Sequence, residues 1–378
     1  MGENVRQLDL IRRLADEIGV RLSGEEATRV AAEELVSHFR GLGLPVRVQE
    51  FTFVGWKPQA RPALELLAPV RDEIEVAPIS HSTSTPAGGL VGRVQRVGTY
   101  YMVPGELEWP RYAVVDGDGR ERAYLVGHVG LGPLIGRAIP VSNPEPLFPF
   151  PIVTVGQRDH ERLARWLDEG LEVQVRLRTS GQVVPESVGR NVIAALHREG
   201  PEHVVLCAHY DTAPWCPGAV DNASGVQAMY EVARRLVSQP DGKGYRFIAF
   251  DANLMHFLGS RYYVNELVAR GQIGEVKAAI NLDTVGAGDT FILPAWPDQM
   301  SDRVAKAAAE VCAGYQVQVP GALAGSDHWS FRGKGVPMVE LLCWPFDGYH
   351  RDEDTTDQVD ARAVQTAADL AYRLCQEL

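Results

Sequence analysis

The sequence predicts an α/β protein with a mixed, mostly parallel central sheet and a β-rich domain inserted into it. Three observations carry that expectation. NVIAAL, HVVLCAH, YRFIAFDA, KAAINLDT and VPMVELLCW, all after residue 188, are near-continuous apolar runs, the pattern of strands covered on both faces. Helical patterns lie between them: Val226, Met229, Tyr230, Ala233 and Leu236 form one stripe, and Val364, Ala368, Ala371 and Leu374 another. Between about 59 and 187 the chain instead reads as short strands punctuated by Gly and Pro. The boundaries drawn from this shift are 1–58 and 188–378 for the α/β domain and 59–187 for the insert.

The elements follow in order. Leu8, Ile11, Leu14 and Ile18 recur at helical spacing over residues 5–18. Ser23 and Glu26 make a capping-box pattern ahead of a second helix, which should bury Ala31, Leu35, Phe39 and Leu42 and stop near Gly41–Gly43. VRVQEFTF (46–53) alternates as a strand does. In the insert, ALELLAP, GLVGRVQRVG, RYAVVDGDG, FPIVTVG and LEVQVRLRTS read as strands, and HERLARWLDEG (160–170) as its one helix. No internal repeat or low-complexity segment is visible.

The chain has 378 residues, 45% of them hydrophobic and 23% charged, as in an ordinary globular protein. A net charge of −12 with scattered Lys and Arg argues against nucleic acid and against an anionic membrane as partners. No run of 18 apolar residues exists, and the opening residues do not read as a signal peptide. The five cysteines (Cys207, Cys216, Cys312, Cys343, Cys375) lack CxxC spacing and read as reduced thiols of a cytoplasmic protein, a Cys207–Cys216 bridge being the one pairing weighed against that. Oligomeric state is not legible.

In open α/β sheets, chemistry gathers at the carboxyl ends of the strands. Here those ends carry His209 and Asp211 (HYDT), Asp221 (GAVDNASG), Asp283 (NLD), Asp327 and His328 (SDHWSF), and Tyr349 and His350 (YH). Imidazole and carboxylate are the ligands of zinc and its neighbours. Taken singly, each has a plainer role: an Asp before a helix is most often an N-cap, and a lone His or Tyr is most often packing. Their joint occurrence at strand ends favours a metal.

HYDT, GAVDNASG, a strand ending near 250–254, NLD, SDHWSF and YH together resemble the zinc aminopeptidase family that includes bacterial leucyl aminopeptidases and glutamate carboxypeptidase-like proteins. The resemblance covers about 1–58 and 188–378. It implies a three-layer sandwich in which His209 and Asp283 ligate one metal, Asp221 bridges, and His350 ligates a second. It gives Asp211 the task of orienting His209, and Tyr349 that of donating a hydrogen bond to the tetrahedral oxyanion. The insert, by position and by FPIVTVGQRDHERLARWLDEG, resembles the protease-associated (PA) domain of many relatives.

One stretch departs from the family. Relatives carry a Glu-Glu pair in FDGEExGxxGS; FDANLMHFLGS (250–260) aligns without a gap and places Asn253 and Leu254 there. The first Glu is the family's general base and the second ligates the second metal. Asn takes no proton near neutral pH, and a positioned base is worth on the order of 10²–10⁴-fold. Leu ligates nothing, which leaves the second metal fewer than the three protein ligands a catalytic zinc ordinarily has. The expectation is one tightly held zinc at His209, Asp221 and Asp283 and a second that is weak or absent, with His256 a candidate replacement ligand and His256 or Asp251 a candidate replacement base. Two functions follow: an aminopeptidase-type amide hydrolase with a weakened site, acting on a peptide or small amide, or an inactive homologue that binds. Glutaminyl-cyclase-like chemistry uses the same missing carboxylates and ranks below both. Trp215, Trp296, Trp329, Trp344 and Phe346 flank the motifs as candidates for an apolar pocket wall.

Overall fold

The computed structural model describes residues 8–103, 107–127, 149–196, 200–321 and 325–378. The chain forms two compact units, Met1–Thr52 with Ser187–Leu378, and Phe53–Glu186. It opens on α1 (Asp9–Arg12), which widens into a π turn over Arg13–Ile18 and buries Leu10, Ile11, Leu14 and Ala15. The start of the predicted 5–18 helix lies outside the described residues. Helix α2 (Glu26–Gly41) buries Ala31, Leu35 and Phe39 as its spacing requires. The expected capping box does not form. Glu25 is the N-cap and makes no side-chain cap, and the Ser23 hydroxyl instead donates to Asp211 Oδ2 at 2.9 Å. Strand β1 (Val46–Ala68) then runs well past the expected 46–53.

In the Phe53–Glu186 unit, β1 continues and is followed by β2 (Asp72–Ile74), β3 (Val76–Pro78), β4 (Leu90–Val103), β5 (Leu107–Val115), β6 (Glu121–Gly127), β7 (Ile152–Val155), helix α3 (Gln157–Asp168) and the start of β8 (Gln174–Leu196). Antiparallel pairing joins β8 to β4, β4 to β5, β5 to β6 and β7 to β3; β6 and β7 pair in parallel. Leu163 of α3 packs with Leu64, Val94, Leu125, Val153 and Leu177 in the core of this unit. The division between units falls inside β1 and β8, so the composition shift marks a change of surroundings rather than a break in the chain.

The other unit holds β9 (His203–His209), α4 (Ser224–Ser238), β10 (Tyr245–Phe250), α5 (Leu258–Ala269), β11 (Val276–Leu282), β12 (Thr290–Ile292), β13 (Ala295–Trp296), α6 (Asp298–Val311), β14 (Gln316–Gln318), α7 (His328–Arg332), β15 (Met338–Trp344) and α8 (Ala361–Glu377). Its sheet runs β14-β12-β15-β11-β9-β10-β8. β10, β9, β11 and β15 are parallel, and β8 and β12 flank them antiparallel. Val204, Leu206 and Ala208 of β9 pack with residues of α1, α2, α4, α6 and α8, while Val205 and Cys207 pack with residues of α5 and α7. Both faces of the sheet are thus covered, which is why these strands are apolar throughout.

Candidate metal centre

The centre lies beyond the carboxyl ends of the parallel strands. His209 is the last residue of β9, level with Phe250, the last of β10. Asp283 follows β11 directly, and His350 lies beyond β15. Asp221 sits in the bend Ala219–Ala223 ahead of α4. Asn222 ties that bend to the end of β11: its Nδ2 donates to the Leu282 carbonyl at 2.9 Å, and its Oδ1 accepts from the amides of Gly225 and Thr284 at 3.0 Å each. Gly225 allows this approach, since a Cβ there would lie 2.3 Å from Asn222 Oδ1 and from the Leu282 carbonyl.

Four predicted residues converge. His209 Nε2 lies 3.2 Å from Asp221 Oδ1 and 3.4 Å from Asp283 Oδ1, and His350 Nε2 lies 3.1 Å from Asp221 Oδ2. The two oxygens of Asp221 thus face two different imidazoles, the posture of a bridging carboxylate. One ligand atom each from His209, Asp221 and Asp283 all lie within 4.8 Å of one another, and this is the one such group of three among the described residues. Buried donors of this chemistry, aimed at a common point, fit a zinc-like ion. His350 has Asp221 beside it but joins no second group of three. Burial opposes charge on His209, but Asp283, Asp211 and Asp221 outweigh it and raise the imidazole well above its ordinary value. Burial likewise opposes charge on Asp221, and its bonds to His209 and His350 prevail and hold it low.

Two residues that the sequence did not single out fix the backbone here. Arg21, fully buried, donates to the carbonyls of Leu14, Gly19, Tyr210, Pro217 and Gly218 at 2.7–2.9 Å. Asp354 accepts from the amides of Val220 and Asp221 at 2.6 and 2.9 Å, and burial, with the nearby Asp221 charge, pushes its carboxyl up to about 7. Neither has a local sequence signal: Arg21 reads as a solvated charge near a helix end, and Asp354 as one of an acidic run.

The remaining predicted residues divide. The Asp211 carbonyl lies 3.1 Å from His209 Nδ1 and its Oδ1 3.5 Å away. The Asp211 carboxylate mainly accepts from Ser23 and from the amides of Asn253 and Leu254, at 3.0 and 3.2 Å. Asn253 Nδ2 donates to Ser326 Oγ at 3.2 Å and to Asp327 Oδ2 at 2.9 Å. Leu254 is buried. The half-buried Tyr349 ring stacks on His350 at 3.9 Å and meets Trp344 edge-on at 5.4 Å. Its hydroxyl is held well above its ordinary pKa by burial and by the Asp221 and Asp283 charges. His256, in a left-handed conformation, stacks on Phe257 and stands outside the group of three. The two oxygens of Asp251 accept the amides of Ala252 and Arg190 at 2.7 and 3.0 Å. Trp344 and Phe346 cluster with Tyr349 and Val220, whereas Trp296 and Trp329 pack around Arg332. Cys207 and Cys216 are free and buried, so the bridge weighed against reduced thiols does not form.

Residues 191–375 match the model of Peptidase family M28. Aminopeptidase YwaD of Bacillus subtilis (strain 168) is 27% identical over 95% of this chain and 81% of its own length. A zinc aminopeptidase structure from Bacillus subtilis superposes with a TM-score of 0.68 at 24% identity, covering 98% of this chain and 94% of the other. An aminopeptidase from Aneurinibacillus sp. strain AM-1 superposes with a TM-score of 0.71 at 21% identity, over 99% and 93%. The chain is thus similar to the zinc aminopeptidases through its Peptidase family M28 segment, and its α/β sheet has the fold of these structures. Its function is of the peptidase type. No helix among the described residues is long and apolar enough to cross a membrane.

Proposed function

We propose that the protein is an aminopeptidase-type metallopeptidase that holds one zinc ion tightly, at His209, Asp221 and Asp283, and cleaves ordinary aminopeptidase substrates weakly. The observation that carries this reading is the convergence of those three side chains, with His350 on the far oxygen of Asp221. When bound, such an ion polarises a carbonyl and acidifies water. The chain's own residues would do the rest. His209 and Asp283 keep the ion side of the site charged, Asp221 joins it to His350, and Tyr349, stacked on His350, would donate to a developing oxyanion. Position 253 supplies an amide where a proton acceptor is required, and position 254 an aliphatic chain where a ligand is required.

The Phe53–Glu186 unit is read as a PA-like module, and a reducing, cytoplasmic setting is supported by the free, buried cysteines. A second reading, an inactive homologue that binds peptides, is favoured by one observation: both N–H groups of the Asn253 amide already have protein acceptors, Ser326 and Asp327. Elemental analysis after purification with zinc, joined to turnover of leucyl anilides and a small peptide panel, tests the proposal. One tight ion with slow turnover is expected. Two tight ions or brisk cleavage would overturn the weakened-site reading, no ion would overturn the metal reading, and one ion with no turnover would favour the binding homologue.

A further inference from the structure

We propose that Asn253 is a positioning residue for the ion: through the Ser326 hydroxyl it holds the Asp283 carboxylate in the orientation that faces His209. The inference rests on the metal reading above and assigns position 253 a task distinct from the base it replaces.

A serine hydroxyl has one hydrogen to donate and two lone pairs to accept with. Ser326 Oγ lies 2.9 Å from Asn281 Nδ2, 3.2 Å from Asn253 Nδ2 and 2.5 Å from Asp283 Oδ2. The two amide nitrogens can only donate. They fill both lone pairs, so the hydroxyl hydrogen has one acceptor left, Asp283 Oδ2. The amide of Asn253 is itself fixed. Its second N–H donates to Asp327 Oδ2 at 2.9 Å, and a flipped amide would set its oxygen against that carboxylate. Asp327 and Ser326 are almost wholly buried, so solvent competes little for the bonds that Asn253 makes to them.

The consequence reaches the ligand. With Oδ2 of Asp283 held by Ser326, its Oδ1 is the oxygen 3.4 Å from His209 Nε2, steadied by the Thr284 hydroxyl at 3.0 Å. A glutamate side chain at this position has no N–H and could hold neither Ser326 nor Asp327 in this way. The substitution therefore trades a base for a donor that orients a ligand.

The test measures zinc affinity by chelator competition and the absorption bands of the cobalt(II)-loaded full chain, with thermal melts as a check on folding. Ser326→Ala and Asn253→Ala should each weaken zinc ten- to a hundred-fold, the range for losing a partner that orients a ligand, and should shift the cobalt bands. The double variant should bind as Ser326→Ala does, because Asn253 acts through that hydroxyl. Ser326→Ala removes one oxygen and decides the matter even if Asn253→Ala folds poorly: native affinity and native bands in Ser326→Ala would overturn the proposal. So would a further tenfold loss on adding Asn253→Ala to Ser326→Ala. A natural chain that binds no zinc, or that binds it equally well as His209→Ala, would overturn the metal reading itself.

Discussion

The segments that follow β9 and β10 stand side by side, with Phe250 level with His209 and the Tyr210 amide bonded to the Phe250 carbonyl at 3.0 Å. After β9 both backbone and chemistry fit a metal: His209 faces two carboxylates, and Arg21 and Asp354 fix the loop around them. After β10 only the backbone does. The Asp211 carboxylate still holds the amides of Asn253 and Leu254, and Asp251 still caps the bend at Ala252, yet the side chains at 253 and 254 carry no charge. A turn's shape and its chemistry are therefore separable. The shape is set by the carboxylates of Asp211 and Asp251, which accept its backbone amides, rather than by charge at its apex.

The largest effect expected from this contrast is on metal affinity. His209→Ala should reduce zinc affinity by more than about a hundred-fold, beyond the loss of an orienting partner. His350→Ala should reduce it far less, since His350 belongs to no group of three. Isothermal titration of both variants checks this, and equal losses would show that the two sides of Asp221 bind one ion jointly.

The next effect is gained catalysis. Asn253→Glu with Leu254→Glu introduces the two carboxylates that the family resemblance implies at these positions, and on the proposed reading turnover of leucyl anilide in excess zinc should rise by roughly 10²-fold, the lower end of what a base supplies. The gain should stay at that end because the introduced base would face Asp327, which loses its Asn253 donor and whose carboxyl burial already pushes up to about 6. Adding Asp327→Asn should then raise turnover further. Neither single substitution should match the pair.

A third effect concerns the loop after β9. Arg21→Met removes a buried guanidinium from five carbonyls and should cost about 3–5 kcal/mol of stability, read by denaturant unfolding of the metal-free chain. Arg21 also marks the limit of reading the sequence alone. His209, Asp221, Asp283 and His350 are legible because charged and imidazole side chains at the ends of apolar strands are locally conspicuous. Arg21 and Tyr210 are 189 residues apart, and nothing near Arg21 announces the carbonyls it meets. Ser23 shows the converse: S-x-x-E matches a capping box, but a buried carboxylate 188 residues away is the acceptor its hydroxyl takes. Alternation marks the strand only over 46–53 and composition shifts near 58, because both register surroundings, whereas β1 is continuous from Val46 to Ala68. Asn253 and Leu254 stand out only against the family resemblance. That Asn253 donates to Ser326 and Asp327 needs the fold.

The smallest effect is a dependence on pH whose sign differs with and without metal. In the metal-free chain, burial first and then the Asp211 charge push Asp251 up to about 7, burial pushes Asp327 up to about 6, and His209 is also raised. Each folded pKa exceeds its unfolded value, so the native state binds more protons than the unfolded chain across the interval between them. The stability tied to these protons is fully present below the unfolded pKa values and is lost as pH rises through the folded ones. The melting temperature of the metal-free chain should therefore fall by a few degrees between about pH 5.5 and 8, on the order of what a 1 kcal/mol loss produces. Asp221, held low, works in the opposite direction only in more acidic solution and leaves this window unchanged. With zinc bound the sign reverses, because ligation needs His209 deprotonated and protons compete with the ion. Zinc should thus stabilise the chain more at the alkaline end of that window than at the acidic end. A metal-free melting temperature that rises over the same interval would mean that Asp251 and Asp327 are ionised in the fold, and the apex of the β10 turn would then lie in a more polar setting than its burial implies.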